Sequence, residues 1–203
     1  MENVYLIVGL GNPGREYAKT RHNVGFMAVE RLAKRWRADW KTQKKFQSRV
    51  AQVDQDGRRC LLAEPQTYMN LSGEAVGALM NFYRVARERL LVVMDDADLP
   101  FGEIRMRAEG SGGGHPGLES IEAHLGTRRY ARLRIGIGRE ALACGQHAPR
   151  EISGYVLGPF RAADAELLEK VLTRAGDQVE CWLDDGIEKA MSRYNGRVEE
   201  IKN

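Results

Sequence analysis

The chain has 203 residues, 43% hydrophobic and 29% charged, enough for one domain with a sizeable core and typical of a soluble globular protein. Its 31 basic and 28 acidic residues leave a net charge of only +3, a balance that does not by itself argue for nucleic acid. The cysteines, Cys60, Cys144 and Cys181, form no C-x-x-C pair, which argues against structural zinc and for a reducing cytoplasm.

Val4 to Gly9 is a β-rich apolar run, too short for a signal peptide or membrane span, and reads as a buried first strand. A polar loop over 10–21 follows, then an amphipathic helix over 23–36 with apolar Phe26, Met27, Val29, Ala33 and Trp36. "FQSRVAQVD" and "RRCLLAEP" form a hairpin across "QDG". Ser72 is the expected N-cap of the helix "SGEAVGALMNFYRV". "LLVVMDDADLP" is a buried strand ending in acids, and "GEIRMRAE" and "ARLRIGIG" are alternating strands. "GSGGGHPGLESIEAHL" runs from a glycine loop into a helix with Pro116 in its first turn. A long helix carries Leu167, Leu168, Val171, Leu172, Ala175, Val179 and Leu183 on one face, and Gly186 separates it from a last short helix. The expected fold is α/β: a single domain over 1–195 with a mixed central sheet flanked by helices, then a polar tail over 196–203.

Gly9, Gly11 and Gly14 fit the spacing of a dinucleotide-binding turn. That turn needs a helix starting at the glycines, to hold a pyrophosphate on its N-terminal N–H groups. Here the helical pattern begins only near residue 23, and no second strand with an acidic ribose contact follows. Sharp turning at a strand end explains the glycines more simply.

The loop leads instead to His22. Asn12, Asn23 and Asn70 are neutral amides able to orient a substrate or a water. Asp95 ends an apolar strand, and α/β sheets gather ligand chemistry at the carboxyl ends of their strands. Parallel pairing of that strand with the first would bring Asp95 to His22, to fix its tautomer and strengthen its other nitrogen as a base toward water. Asp95, Asp96 and Asp98 also admit a Mg²⁺ reading, although no further acidic cluster completes a shell. Tyr68 and Met69 suit stacking on a base or packing an apolar chain, or simply anchor a buried loop. Arg105, Arg107, Arg132 and Arg134 would line one face if their strands pair, as a phosphate contact or as a solvated strand face.

"IVGLGNPGREYAKTRHNVG", "EPQTYMNLSGEAV", "VVMDDADLPFGEIRMR", "GGGHPGL", "RLRIGIG" and "GYVLG" together resemble the bacterial peptidyl-tRNA hydrolase family, over about residues 3–195 and in order. The resemblance implies a monomeric cytoplasmic enzyme without metal or organic cofactor, which cuts the ester between a peptide and its tRNA. It implies that His22 is the general base and Asp95 its partner, with Asn12 discriminating blocked from free aminoacyl groups and Asn70 holding peptide and water. It implies substrate and tRNA contacts at Tyr17, Tyr68, Met69, His115, Arg107 and Arg134. Pro116 departs from the family's usual Asn and brings neither a side-chain amide nor an N–H to the contact made there. A non-catalytic, splicing-factor-like RNA-binding protein on the same fold is the alternative.

Overall fold

The run Leu90–Asp96 is apolar on both faces until its last two residues, as a strand covered on both sides requires. It lies at the centre of an eight-stranded sheet in a computed structural model that describes residues 3–138 and 149–198. The strands are β1 (Val4–Gly9), β2 (Trp40–Gln43), β3 (Ser48–Gln55), β4 (Arg58–Pro65), β5 (Leu90–Asp96), β6 (Glu103–Arg107), β7 (Ala131–Gly136) and β8 (Gly196–Arg197), in spatial order β2-β3-β4-β1-β5-β7-β6-β8. The four central strands, β4, β1, β5 and β7, pair in parallel, while β2, β3, β6 and β8 add antiparallel edges, so the sheet is mixed as expected.

Helices α1 (Val24–Arg35), α2 (Ser72–Tyr83), α3 (Pro116–Leu125), α4 (Pro149–Val156), α5 (Ala165–Asp185) and α6 (Ile187–Tyr194) complete the fold. Side-chain alternation along the strands divides the core in two. Ile7, Leu91, Val93, Leu133 and Ile135 pack on one face with Val29 and Leu32 of α1 and Val171, Ala175 and Val179 of α5. Leu6, Val8, Leu61, Val92 and Met94 pack on the other with Val76 and Leu79 of α2 and Leu118 and Ile121 of α3. The result is a three-layer α/β domain.

Several local expectations need correction. Ser72 is the first residue of α2 and not its N-cap; its hydroxyl donates back to the carbonyl of Met69 at 2.8 Å. The glycines of the first loop serve close packing more than turning. A Cβ on Gly9 would lie 2.3 Å from the Gly25 carbonyl oxygen, and one on Gly11 would press into the Phe26 ring at 2.8 Å. Only Gly14 of the three adopts a left-handed φ, +114°. Gly25 is as constrained, since a Cβ there would lie 2.4 Å from the Val93 carbonyl oxygen. The small residues let α1 abut the ends of β1 and β5, which places the turn carrying His22 beside both strands. The tail expected from 196 gives its first residues to the sheet: Gly196–Arg197 pair with β6, and the Val198 N–H donates to the Gly102 carbonyl at 2.7 Å.

Candidate active site

At the carboxyl edge of the parallel strands, β1 and β5 run side by side with Gly9 opposite Val93. The loop after β1 and the end of β5 therefore open into one cleft of about 630 Å³, into which Asn12, His22, Met69, Asn70, Asp95, His115, Pro116 and Arg134 project. His22 sits on the single turn of 3-10 helix, Arg21–Asn23, that precedes α1. Its Nδ1 lies 2.9 Å from Asp95 Oδ1, with both residues buried. An ionised carboxylate only accepts, so Nδ1 carries the proton and donates. The lone pair of His22 is then on Nε2.

Asp95 has a second partner. His115 Nε2 lies 3.0 Å from the same Oδ1, and the two imidazole rings are 5.2 Å apart, centroid to centroid. Burial alone would push the Asp95 carboxyl up; the favourable contacts with His115 and then His22 outweigh it and hold the group well below the usual carboxylate range. His115 is the N-cap of α3, with φ −77° and ψ 115°, and its Nδ1 accepts the Gly117 N–H at 3.2 Å. Pro116 at the first helical position disfavours a helical conformation at His115 and has no N–H of its own to satisfy.

Asn12 is clamped twice by a buried neighbour. Its N–H donates to Asn23 Oδ1 and its carbonyl accepts from Asn23 Nδ2, both at 2.9 Å. Asn23 is thereby committed to the loop, so the expectation that it orients a substrate or a water is corrected. Asn12 Oδ1 accepts the Met69 N–H at 2.8 Å, tying the loop before α2 to the loop after β1. The Asn12 group left to face the cleft is its Nδ2 amide, a donor. Asn70 and Tyr68 stand exposed on the rim beside the buried Met69.

The remaining candidates divide. Arg105 faces Arg134 across the β6–β7 pair, and Arg107 faces Arg132, so all four share one face of the sheet as expected. Arg132 is fully buried and donates to the carbonyls of Ser111 and Arg128. Arg134 lines the cleft with its guanidinium 3.0 Å from Asp96 and 2.8 Å from the Ser111 carbonyl, so it braces the glycine loop. Arg107 is exposed at the strand end, away from the cleft lining. Tyr17, on the turn after Gly14, is not part of that lining either. Sequence reasoning missed α4, which contributes Ser153 and Val156, with Leu157 just after it, as a largely apolar wall. The periodic spacing of Ile152, Tyr155 and Val156 around Gly154 was the available signal. Residues 139–148, which precede α4, lie outside the described residues. Cys60 and Cys181 are buried free thiols, and Cys144 also lies outside the described residues.

The Mg²⁺ reading of Asp95, Asp96 and Asp98 loses its shared shell. Asp95 is taken by two imidazoles, and Asp96 by Arg134 and the Asp98 N–H. His22, Asp95 and His115 do bring three ligand-type atoms within 4.8 Å of one another. Their donor chemistry does not fit a metal, because Gly117 occupies the Nδ1 lone pair of His115 and the neutral ring then carries its proton on the Nε2 that faces Asp95.

The fold and the cleft define a class: a three-layer α/β protein with a histidine–carboxylate cluster at the carboxyl edge of its parallel strands. The chain belongs to the peptidyl-tRNA hydrolase family, whose sequence profile matches residues 6–202. It is 47% identical over 192 residues to a peptidyl-tRNA hydrolase of Gloeobacter violaceus, covering 95% of this chain and 94% of that one. It is 46% identical to one of Carboxydothermus hydrogenoformans, covering 95% and 98%. A crystal structure of the Acinetobacter baumannii peptidyl-tRNA hydrolase superposes with a TM-score of 0.88 at 37% identity, covering 98% of this chain and 97% of that one.

Proposed function

We propose that this chain hydrolyses the ester joining a peptide to the 3′ end of tRNA, with His22 as general base. The observation that carries the reading is the 2.9 Å contact between His22 Nδ1 and Asp95, which leaves the His22 Nε2 lone pair for a water in the cleft. Water attacks the ester carbonyl carbon as its proton passes to Nε2. The tetrahedral intermediate collapses with cleavage of the bond to the tRNA 3′ oxygen, and the imidazolium returns the proton to that oxygen. A free tRNA hydroxyl and a peptide carboxylic acid leave, the acid giving up its proton to solvent as the carboxylate; no covalent enzyme intermediate is needed.

Asn12 supports the preference for blocked aminoacyl groups. Met69 holds its oxygen, so Asn12 offers the substrate an N–H donor. A peptide carbonyl accepts from it, whereas the α-ammonium of a free aminoacyl ester would meet donor with donor and lose hydration uncompensated. Asn70 on the rim holds the peptide part and the attacking water. Tyr68 and Met69 contact the tRNA end, and Arg107 the tRNA phosphates. Tyr17 and Arg134 are further tRNA contacts; Arg134 would act from its brace with Asp96, and Tyr17 from outside the cleft wall. We place the protein in the cytoplasm as a monomer. No described helix is long and apolar enough to cross a membrane. The splicing-factor-like alternative keeps a basic face but has no use for a buried His–Asp pair beside Asn12 and Asn70.

The test is hydrolysis of N-acetylaminoacyl-tRNA against its unblocked counterpart. Wild type should cleave the first selectively, and His22→Ala should lose about 10²- to 10⁴-fold in kcat. Wild-type turnover by His22→Ala would remove His22 from the chemistry.

A further inference from the structure

His115 lies in the cleft, and family resemblance alone would make it a substrate contact. Its hydrogen bonds describe another task. The ring has one lone pair when neutral, and the Gly117 N–H occupies it at 3.2 Å. Protonating Nδ1 would set two N–H donors against each other at the head of α3. The other nitrogen points at an acceptor-only carboxylate at 3.0 Å and is the one that carries hydrogen. Both nitrogens are therefore spoken for, and His115 can act neither as a second base nor as a metal ligand. The dipeptide His115–Pro116 builds this state. Proline biases its predecessor toward the extended conformation that an N-cap needs, and removes the first helical N–H, so the ring serves Gly117 alone.

The same ring bears on the base. Asp95 Oδ1 receives two N–H donors from two directions. The positive end of the His115 N–H dipole thus lies beside the site where positive charge appears when His22 takes a proton. It also draws on the carboxylate charge that would otherwise stabilise that imidazolium. We propose that His115 is a positioning residue: fixed as the Nε2–H tautomer by its cap on Gly117, it shares Asp95 with His22, immobilises the carboxylate, and keeps the base from being over-stabilised in its protonated form. The proposal rests on the reading of His22 as base. The other polar groups that line the cleft around the pair, among the described residues, are Asp96 at the end of β5 and Asp98 just after it, Arg134 from β7, the neutral amides of Asn12 and Asn70, and the Tyr68 hydroxyl from the loop before α2; Arg21 precedes His22 in its turn. Asp96 and Arg134 are paired with each other at 3.0 Å, and the Arg21 guanidinium lies over the Tyr155 ring at 4.3 Å. The α4 wall presents Ser153 and Val156, neither charged, with Leu157 after them. His115 is therefore the donor whose removal isolates the effect.

The experiment compares wild type, His115→Phe, which fills the space without a donor, and His115→Gln, whose amide can still donate to Asp95. Ring-nitrogen NMR reads the tautomer of His115 and the titration midpoint of His22 directly, without needing activity, and the pH profile of kcat on N-acetylaminoacyl-tRNA is measured alongside. The expected result is a His115 protonated on Nε2 in wild type. In His115→Phe the His22 midpoint and the acid limb of kcat should rise together by roughly half to one pH unit, with KM within about twofold, and His115→Gln should restore both. A His115 protonated on Nδ1, or a His22 midpoint that stays put or falls in His115→Phe, overturns the proposal. A raised KM over an unmoved acid limb overturns it in favour of a substrate contact. Loss of the His22 role altogether would show separately, as full turnover by His22→Ala.

Discussion

Replacing Asp95 by Asn removes a charge while leaving an oxygen where the two imidazole N–H groups already point. The Nδ1–Oδ1 separation of 2.9 Å puts the imidazolium and carboxylate charge centres roughly 4 Å apart in the transition state. At an effective dielectric of about 20 that attraction is worth about 4 kcal/mol, or about a thousandfold in rate. The amide dipole of Asn returns part of it, so kcat in Asp95→Asn should fall by about 10²- to 10³-fold. The assay is single-turnover hydrolysis of N-acetylaminoacyl-tRNA with enzyme in excess, run across pH, with thermal unfolding as the check on folding. KM should change little, because Asp95 is buried and its Oδ1 is taken up by both rings. A folded Asp95→Asn variant within about threefold of wild-type kcat would refute the argument that this carboxylate stabilises a proton on His22.

Arg107→Ala should raise KM and lower the slope of log KM against log salt by about one, since the side chain is exposed on the arginine face; an unchanged slope would remove it from the tRNA contact. Gly25→Ala should cost about 1–3 kcal/mol or more by urea denaturation, because the added methyl would lie 2.4 Å from the Val93 carbonyl oxygen, and it should lower kcat as the His22 turn shifts. Glu64 gives a pH signature. Its burial, with Glu30 adding repulsion, pushes its carboxyl up to about 8 against the attraction of Arg49. The folded protein therefore holds that proton more tightly than the unfolded chain, and stability drains as pH rises from the unfolded value of about 4.3 toward 8. Glu64→Gln should flatten that part of the stability–pH curve, as read by thermal melts across the range.

What the sequence made legible follows from how local each signal is. β1 and β5 announce themselves as unbroken apolar runs, and α5 as a long periodic face, because burial there is written in consecutive residues. The pairing of His22 with Asp95 was accessible too, since a polar residue ending a buried parallel strand points to the sheet's carboxyl edge. The second claim on Asp95 was not. It depends on the α3 N-terminus lying across the end of β5, a placement set by packing of Leu118 and Ile121 on the far face of the sheet. The Asn12–Asn23 clamp was hidden for a similar reason: two amides eleven residues apart look interchangeable until their backbones are brought together. β2 was missed because Trp40–Gln43 is a short, mostly polar edge strand, and α4 because Gly154 interrupts its pattern.

The chain's far end has a practical consequence for anyone trimming it. Asn195 hooks the β6 backbone with its side-chain amide, accepting from the Met106 N–H at 2.6 Å and donating to the Met106 carbonyl at 3.1 Å, and Gly196–Arg197 continue the seam. A shortened protein stopping before Asn195 would keep its cleft yet bare a ribbon of unmet amide groups beside two arginines. Such a ribbon recruits another copy of itself, so the shortened form should be recovered as sticky multimers whose chemistry is intact but whose shelf life is poor.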